Sequence, residues 1–281
     1  MMSKHPSAKD AIETLLQIMA LLRDPLYGCP WDLQQTFVSI APHTLEEVYE
    51  VIDAIEVGEQ QQLQAELGDL LFQIVFYAQL GKEQQLFDFA GIAQAMSTKL
   101  LQRHPHVFPD ATLESFGQKA ELSTDKVEKN WEQLKADERR QKQTTPHSVL
   151  NDVPTALPAL MRAAKLQKRA ANVGFDWTAV DAVILKVKEE LAELETAIAR
   201  KDERNIDEEF GDLLFTMVNL SRHLRLNPES SLRSANRKFE KRFRYIEEVL
   251  EKAGIEMKDL SEQELDKYWL KAKQNEINNG R

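Results

Sequence analysis

The sequence predicts an all-α protein made of two tandem, repeated helical bundles, and three observations carry that expectation. Apolar residues recur at helical spacing along most of the chain, and no alternating strand pattern competes over any long stretch. Ten glycines and ten prolines in 281 residues leave long uninterrupted segments. A set of four acids, Glu47, Glu50, Glu66 and Asp69, returns 143 positions later as Glu190, Glu193, Glu209 and Asp212. The surroundings return with it: Glu66-Leu-Gly-Asp-Leu-Leu-Phe72 is answered by Glu209-Phe-Gly-Asp-Leu-Leu-Phe215. A repeat this long means two versions of one structural unit.

The elements follow in order. Ile12, Leu15, Leu16, Met19 and Leu22 predict a helix over 9–23, broken by Asp24-Pro25 and Gly28-Cys-Pro30. A second helix starts near Pro42, as a first-turn proline, and ends near Gly58. A third runs from about Leu63 to Leu80 and ends at Gly81, a fourth covers Phe87 to Arg103, and a fifth Ser123 to Arg140. Residues 144–158 are polar, hold Pro146, Pro154 and Pro158, and read as a linker between an N-terminal domain, 1–143, and a C-terminal domain, 159–281. Helices then cover Leu160 to Ala171 and Val180 to Ala199. Asn205 with Glu208 reads as a capping box opening a helix through Leu224. Ser231 to Ala253 and Ser261 to Asn278 complete the second set.

Composition bounds the function classes. A net charge of -10 argues against a broad nucleic-acid or anionic-membrane footprint, without excluding a local basic pocket. The single cysteine, Cys29, cannot form an internal disulfide and fits a reducing cytoplasm. Met1 to Asp10 lacks the apolar core of a signal peptide. The longest apolar-rich run, Leu70 to Leu80, is too short to span a bilayer.

The acids carry the chemistry. Glu190 and Glu193 project from one helix face, and Glu209 and Asp212 do the same on the next helix. A short connection makes those helices antiparallel neighbours, so four carboxylates meet at one volume. Such a cluster repels itself unless a cation sits in it, and magnesium takes hard oxygen ligands together with water and phosphate oxygens. The plain alternative is a solvated acidic face; repetition of the acids along with the apolar positions favours the metal. Gly211, between Glu209 and Asp212, permits close approach of a helix or ligand. Lys186 and Lys188 precede Glu190, and Lys238 and Arg242 share a face further on. Trp131 in Glu-Lys-Asn-Trp is answered by Trp269 in Asp-Lys-Tyr-Trp. Acids for metal, bases for phosphates and an aromatic for stacking make a nucleotide site. A solvated helix face for Lys238 and Arg242, and a packing anchor for Trp269, are the competing readings.

These residues resemble the MazG family of nucleoside triphosphate pyrophosphohydrolases. Glu189-Glu190-Leu-Ala-Glu193 with Glu209-Phe-Gly-Asp212 is similar to its acid signature, and Glu46-Glu47-Val-Tyr-Glu50 with Glu66-Leu-Gly-Asp69 repeats it. Gly28-Cys-Pro-Trp-Asp32, Arg103-His-Pro-His-Val-Phe108, Asn172-Val-Gly-Phe-Asp-Trp177 and Lys238-Phe-Glu-Lys-Arg242 extend the similarity over nearly the whole chain. The resemblance implies the all-α NTP pyrophosphatase fold, a homodimer, and hydrolysis of a nucleoside triphosphate at the α-phosphate to monophosphate and pyrophosphate with Mg2+, or Mn2+ in its place. It implies metal ligation by Glu190, Glu193, Glu209 and Asp212, and catalytic roles for Glu189, Glu190 and Lys186. Lys186, Lys188, Asn205 (with Arg204 beside it), Lys238, Arg242 and Trp269 would bind the nucleotide. The second half is the expected catalytic one, since Lys186 is answered by His43; the first keeps Glu47, Glu50, Glu66 and Asp69 as a possible second site and is expected to be weakly active or structural. A non-catalytic, nucleotide-sensing regulator is the rival function. A di-iron carboxylate bundle is disfavoured, because it needs Glu-x-x-His and none of the six histidines has a Glu three positions earlier.

Overall fold

The computed structural model describes residues 6–117 and 148–279 and, between them, residues 123, 126, 127, 130, 131 and 134. The chain divides into two compact units, Met1–Lys142 and Gln143–Arg281. Every regular element among the described residues is helical, as the apolar spacing predicts.

The first unit holds α1 (Ala8–Leu22), α2 (Pro30–Gln34), α3 (Phe37–Val57), α4 (Gln60–Glu83) and α5 (Phe89–Arg103). Met19 of α1, Ile40 of α3 and Val75, Phe76 and Leu80 of α4 form its core, each at most 2 % exposed. Ile12, Leu15 and Leu16, the apolar stripe of α1, pack against it. Gly58, at φ 85°, turns α3 into α4, a conformation that costs glycine nothing. The Thr44 and Tyr77 hydroxyls meet across that pair at 2.8 Å.

Two expectations fail in this unit. The second helix begins at Phe37, not near Pro42: Thr36 and Ser39 form a reciprocal capping box, and Pro42 lies inside the helix. The proline removes one helical bond, to the carbonyl of Val38, a residue that is exposed. The third helix does not end at Gly81 but continues to Glu83. Gly81 is there for close approach: a Cβ would sit 2.6 Å from the Phe87 ring. The break after α1 holds the short α2, whose turn Arg23 secures by donating to the Asp32 carbonyl and to Glu83. The helix expected over 123–140 lies largely outside the described residues. Within it Trp131 meets His104 edge-on, centroids 4.8 Å apart.

The second unit holds α6 (Ala159–Ala171), α7 (Val180–Arg200), α8 (Glu203–His223), α9 (Pro228–Ala253) and α10 (Glu262–Asn279). α7 and α8 pack along their length, as α3 and α4 do. α6 lies on α8, where the buried Gln167 amide donates to the Phe215 carbonyl at 2.8 Å. α10 packs on α9 through Ile246, Leu250 and Ala272, with Tyr245, Tyr268 and Trp269 at the margin. Ahead of α6, the guanidinium of Arg169 donates to the carbonyls of Val149, Asn151 and Asp152. Residues 144–147 lie outside the described residues.

The expected capping box at Asn205 and Glu208 is a further correction. α8 starts earlier, with Asp202 as its N-cap, and the Asp202 carboxylate accepts the Asn205 amide at 3.2 Å. Likewise α9 starts at Pro228, capped by Asn227, rather than at Ser231. No helix among the described residues is long and apolar enough to cross a membrane.

Candidate metal and nucleotide site

Spacing on α7 sets up the second unit's site. Lys186, Glu189, Glu190 and Glu193 stand at i, i+3, i+4 and i+7, which puts them on one face. α8 supplies Glu209 and Asp212 from its second and third turns. Carboxylate oxygens of Glu190, Glu193 and Glu209 lie within 4.8 Å of one another. Glu190 is buried, Glu209 half-buried and Glu193 exposed, so the group is covered on one side and open on the other. In the first unit the corresponding group is Glu47, Glu66 and Asp69. The tight triad therefore leaves out Asp212 in one unit and Glu50 in the other.

The omitted acids still belong to the same fields. Glu209 is held above the usual carboxylate range, first by lost hydration and then by the charges of Glu193, Glu190, Asp212 and Glu208. Glu50 is raised in the same way, by lost hydration and then by Glu66, Glu47 and Glu46. Three mutually repelling hard oxygens, part-covered and part-open, form a donor set suited to a divalent cation that keeps water or phosphate oxygens on its open side.

Lys186 separates the two units chemically. Its ammonium lies 2.8 Å from Glu190 and 2.9 Å from Glu189. Those hydrogen bonds, to Glu190 first and Glu189 second, push its pKa well above the usual lysine value. His43 takes its place in the first unit, 3.8 Å from Glu46 and edge-on to Trp31.

The remaining expected residues distribute as follows. Asn205 stands one turn before Glu209 and shares its face. Lys188 is exposed, and a two-residue offset turns it away from the face of Glu190. Lys238 is exposed on α9. Arg242, on the same helix, donates from Nε to Glu276 of α10 at 2.8 Å and lies over the Trp269 ring at 5.5 Å. Trp269 also meets Phe239, centroids 5.5 Å apart. Arg242 and Trp269 are thus brought together between α9 and α10. No side chain of the unit crowds Gly211, or Gly68 in the first: a Cβ there would meet nothing within 4 Å. Among the described residues, nothing makes the close approach that Gly211 permits.

One network was not singled out from the sequence. Asp176, just before α7, accepts from Arg222 at the end of α8, at 2.9 Å for one of the two bonds, and lies 3.1 Å from His223 Nε2. The Arg222 Nε donates to the buried Asn219 at 3.1 Å. Arg222, and secondarily His223, hold the Asp176 carboxyl below its ordinary range against the opposing effect of desolvation. Cations in a last helical turn are ordinary partners of the helix dipole, so only the Asn172–Trp177 motif hinted at a partner.

Comparison with known proteins agrees with this geometry. The MazG nucleotide pyrophosphohydrolase domain matches twice, at residues 35–108 and 179–247, and each match contains one acid group. The nucleoside triphosphate pyrophosphohydrolase of Escherichia coli (strain K12) is 50% identical over 95% of this chain and 98% of its own length. The protein of Thermotoga maritima named nucleoside triphosphate pyrophosphohydrolase/pyrophosphatase MazG is 43% identical over 93% of this chain and 95% of its own length. A nucleoside triphosphate pyrophosphohydrolase of Mycobacterium tuberculosis is 34% identical over 58% of this chain and 46% of its own length.

Proposed function

The chain belongs to the MazG nucleotide pyrophosphohydrolase family, and we propose that its second unit hydrolyses nucleoside triphosphates to monophosphate and pyrophosphate by attack of water at the α-phosphorus. It is an enzyme of the hydrolase class; its relatives' names favour catalysis over non-catalytic nucleotide sensing. The carrying observation is the Glu190, Glu193 and Glu209 triad inside a matched segment.

Glu190, Glu193, Glu209 and Asp212 would hold Mg2+, with Mn2+ as the substitute. Bound there, the ion supplies positive charge at the phosphate oxygens and lowers the pKa of water. Glu189 lies outside the triad; its Oε1 accepts from Lys186, and its second carboxylate oxygen remains for a proton. It accepts that proton as the water oxygen bonds to the α-phosphorus. The bond to the bridging oxygen breaks, and pyrophosphate leaves with the electron pair. Lys186, Lys238 and Arg242 neutralise the phosphates, Asn205 borders them, and Trp269 packs beside the nucleotide; Lys188, turned off that face, is left outside the site. The first unit keeps the acids without a lysine and is read as weakly active or structural.

We further propose a homodimer in the cytoplasm, with no nucleic-acid partner. Exposed Val48, Ile55, Leu67, Leu71 and Ile74 are repeated by exposed Leu191, Ile198, Phe210, Leu214 and Met217, each 143 positions on. A repeated bare apolar face on the acid-bearing helices supports pairing with a second copy. Light scattering should give about twice the 32.3 kDa chain mass; the chain mass itself, with activity retained, contradicts the dimer. Phosphorus NMR of products from a triphosphate panel tests the reaction. Monophosphate with pyrophosphate is expected, and diphosphate with phosphate rejects it.

A further inference from the structure

Arg242 is fixed from two sides by one helix. Glu276 of α10 accepts its Nε–H at 2.8 Å, and the Trp269 ring, also of α10, lies 5.5 Å from its Cζ. Both ends of the ion pair are mostly covered, with side chains 22% and 24% exposed. The nearby Arg244–Glu240 pair is different: it lies within a single helix, 75% and 58% exposed, and holds nothing in place.

A guanidinium offers five N–H donors in a rigid plane, and its two terminal nitrogens form the fork that matches a phosphate. Glu276 engages the third nitrogen, Nε, and the guanidinium carbon lies over the Trp269 ring. The terminal nitrogens make no hydrogen bond to the described residues. The anchoring is therefore on the stem side, and the fork is left to an anion.

We propose that Glu276 is a positioning residue for the nucleotide phosphates, acting through Arg242. This rests on the reading of Arg242 as a phosphate ligand. Ordering a long side chain on binding costs free energy; Glu276 and Trp269 meet that cost when the chain folds. α10, which carries none of the repeated acids, gains a place in the reaction as the element that aims the fork.

Steady-state kinetics of the full-length enzyme provide the test. Glu276→Ala is expected to raise the KM for nucleoside triphosphate by about tenfold, while kcat stays within about twofold. Glu276→Gln keeps an acceptor oxygen at the same reach and should restore most of the loss. Arg242→Ala should raise KM at least as far, and adding Glu276→Ala to it should change KM no further. Circular dichroism and thermal melting identify any variant that fails to fold, and then the Gln variant carries the comparison. An unchanged or lowered KM in Glu276→Ala overturns the proposal. So does a Glu276→Ala effect of full size on the Arg242→Ala background. An unchanged KM in Arg242→Ala overturns instead the reading of Arg242 as a phosphate ligand.

Discussion

The Lys186 ammonium lies 2.8 Å from a carboxylate oxygen of Glu190, one turn along α7. Glu190 is 5% exposed, so the lysine is paired with the most covered acid in the site. Hydrogen bonds that Lys186 donates to Glu190 and then to Glu189 raise the lysine's pKa above its ordinary 10.5. A raised lysine contributes stability that is complete below the unfolded value and is lost only as pH rises through the folded one. Lys186 is therefore charged throughout the working range. Lys186→Met should lower kcat/KM by about a hundredfold, by a factor constant across about pH 6–9. Rate profiles of the two proteins check this, and a factor that shrinks within that range counts against it.

The two acid groups should differ in consequence. Glu193→Gln and Asp212→Asn keep side-chain size while removing an anionic ligand, so each should abolish turnover with helix content unchanged. Glu50→Gln and Asp69→Asn, at the matching positions, should leave most of the turnover, since His43 stands where Lys186 would be needed. Full activity of Glu193→Gln or Asp212→Asn at low magnesium contradicts the four-acid site; equal losses in the two units contradict the division of labour.

Glu209 links the site to stability. Its pKa is raised by lost hydration and by Glu193, Glu190, Asp212 and Glu208. A raised carboxyl loses stability as pH climbs from the unfolded value through the folded one, so at neutral pH the ionised Glu209 destabilises the metal-free protein. Glu209→Gln should melt higher than the parent in chelator at neutral pH, and gain less on addition of magnesium. Melting curves with and without magnesium decide; a lower melting temperature in chelator has the wrong sign.

Asp176 should behave in the opposite sense. Arg222 and then His223 depress its pKa below 3.8. A depressed carboxyl contributes stability above the unfolded value and loses it as pH falls through the folded value. Asp176→Asn should lower the melting temperature by about 2–4 °C at neutral pH, with the gap closing in strong acid. A gap of constant size down to the acid limb would show that charge is not what holds the Asn172–Trp177 turn to α8.

What was legible in the sequence was what lies within a turn or two of the chain. Helical spacing showed that Lys186, Glu190 and Glu193 share a face, and the repeat marked the acids as a unit. Glycine and proline were harder, because their meaning depended on a distant neighbour. Gly81 reads as a helix stop until Phe87 is seen against it. Asp202 displaced Asn205 as the cap of α8, since either side chain suits that position. The Asp176–Arg222 and Arg242–Glu276 pairs join residues 46 and 34 positions apart, and no local pattern records which of many charges will meet.

The account stands most directly on where water attacks. Single-turnover hydrolysis in water enriched in the heavy oxygen isotope, followed by mass spectrometry of both products, separates the possibilities. Label in the monophosphate, with unlabelled pyrophosphate, is the predicted result, because the water oxygen bonds to the α-phosphorus. Label in the pyrophosphate would mean attack at the β-phosphorus and would contradict the proposed reaction.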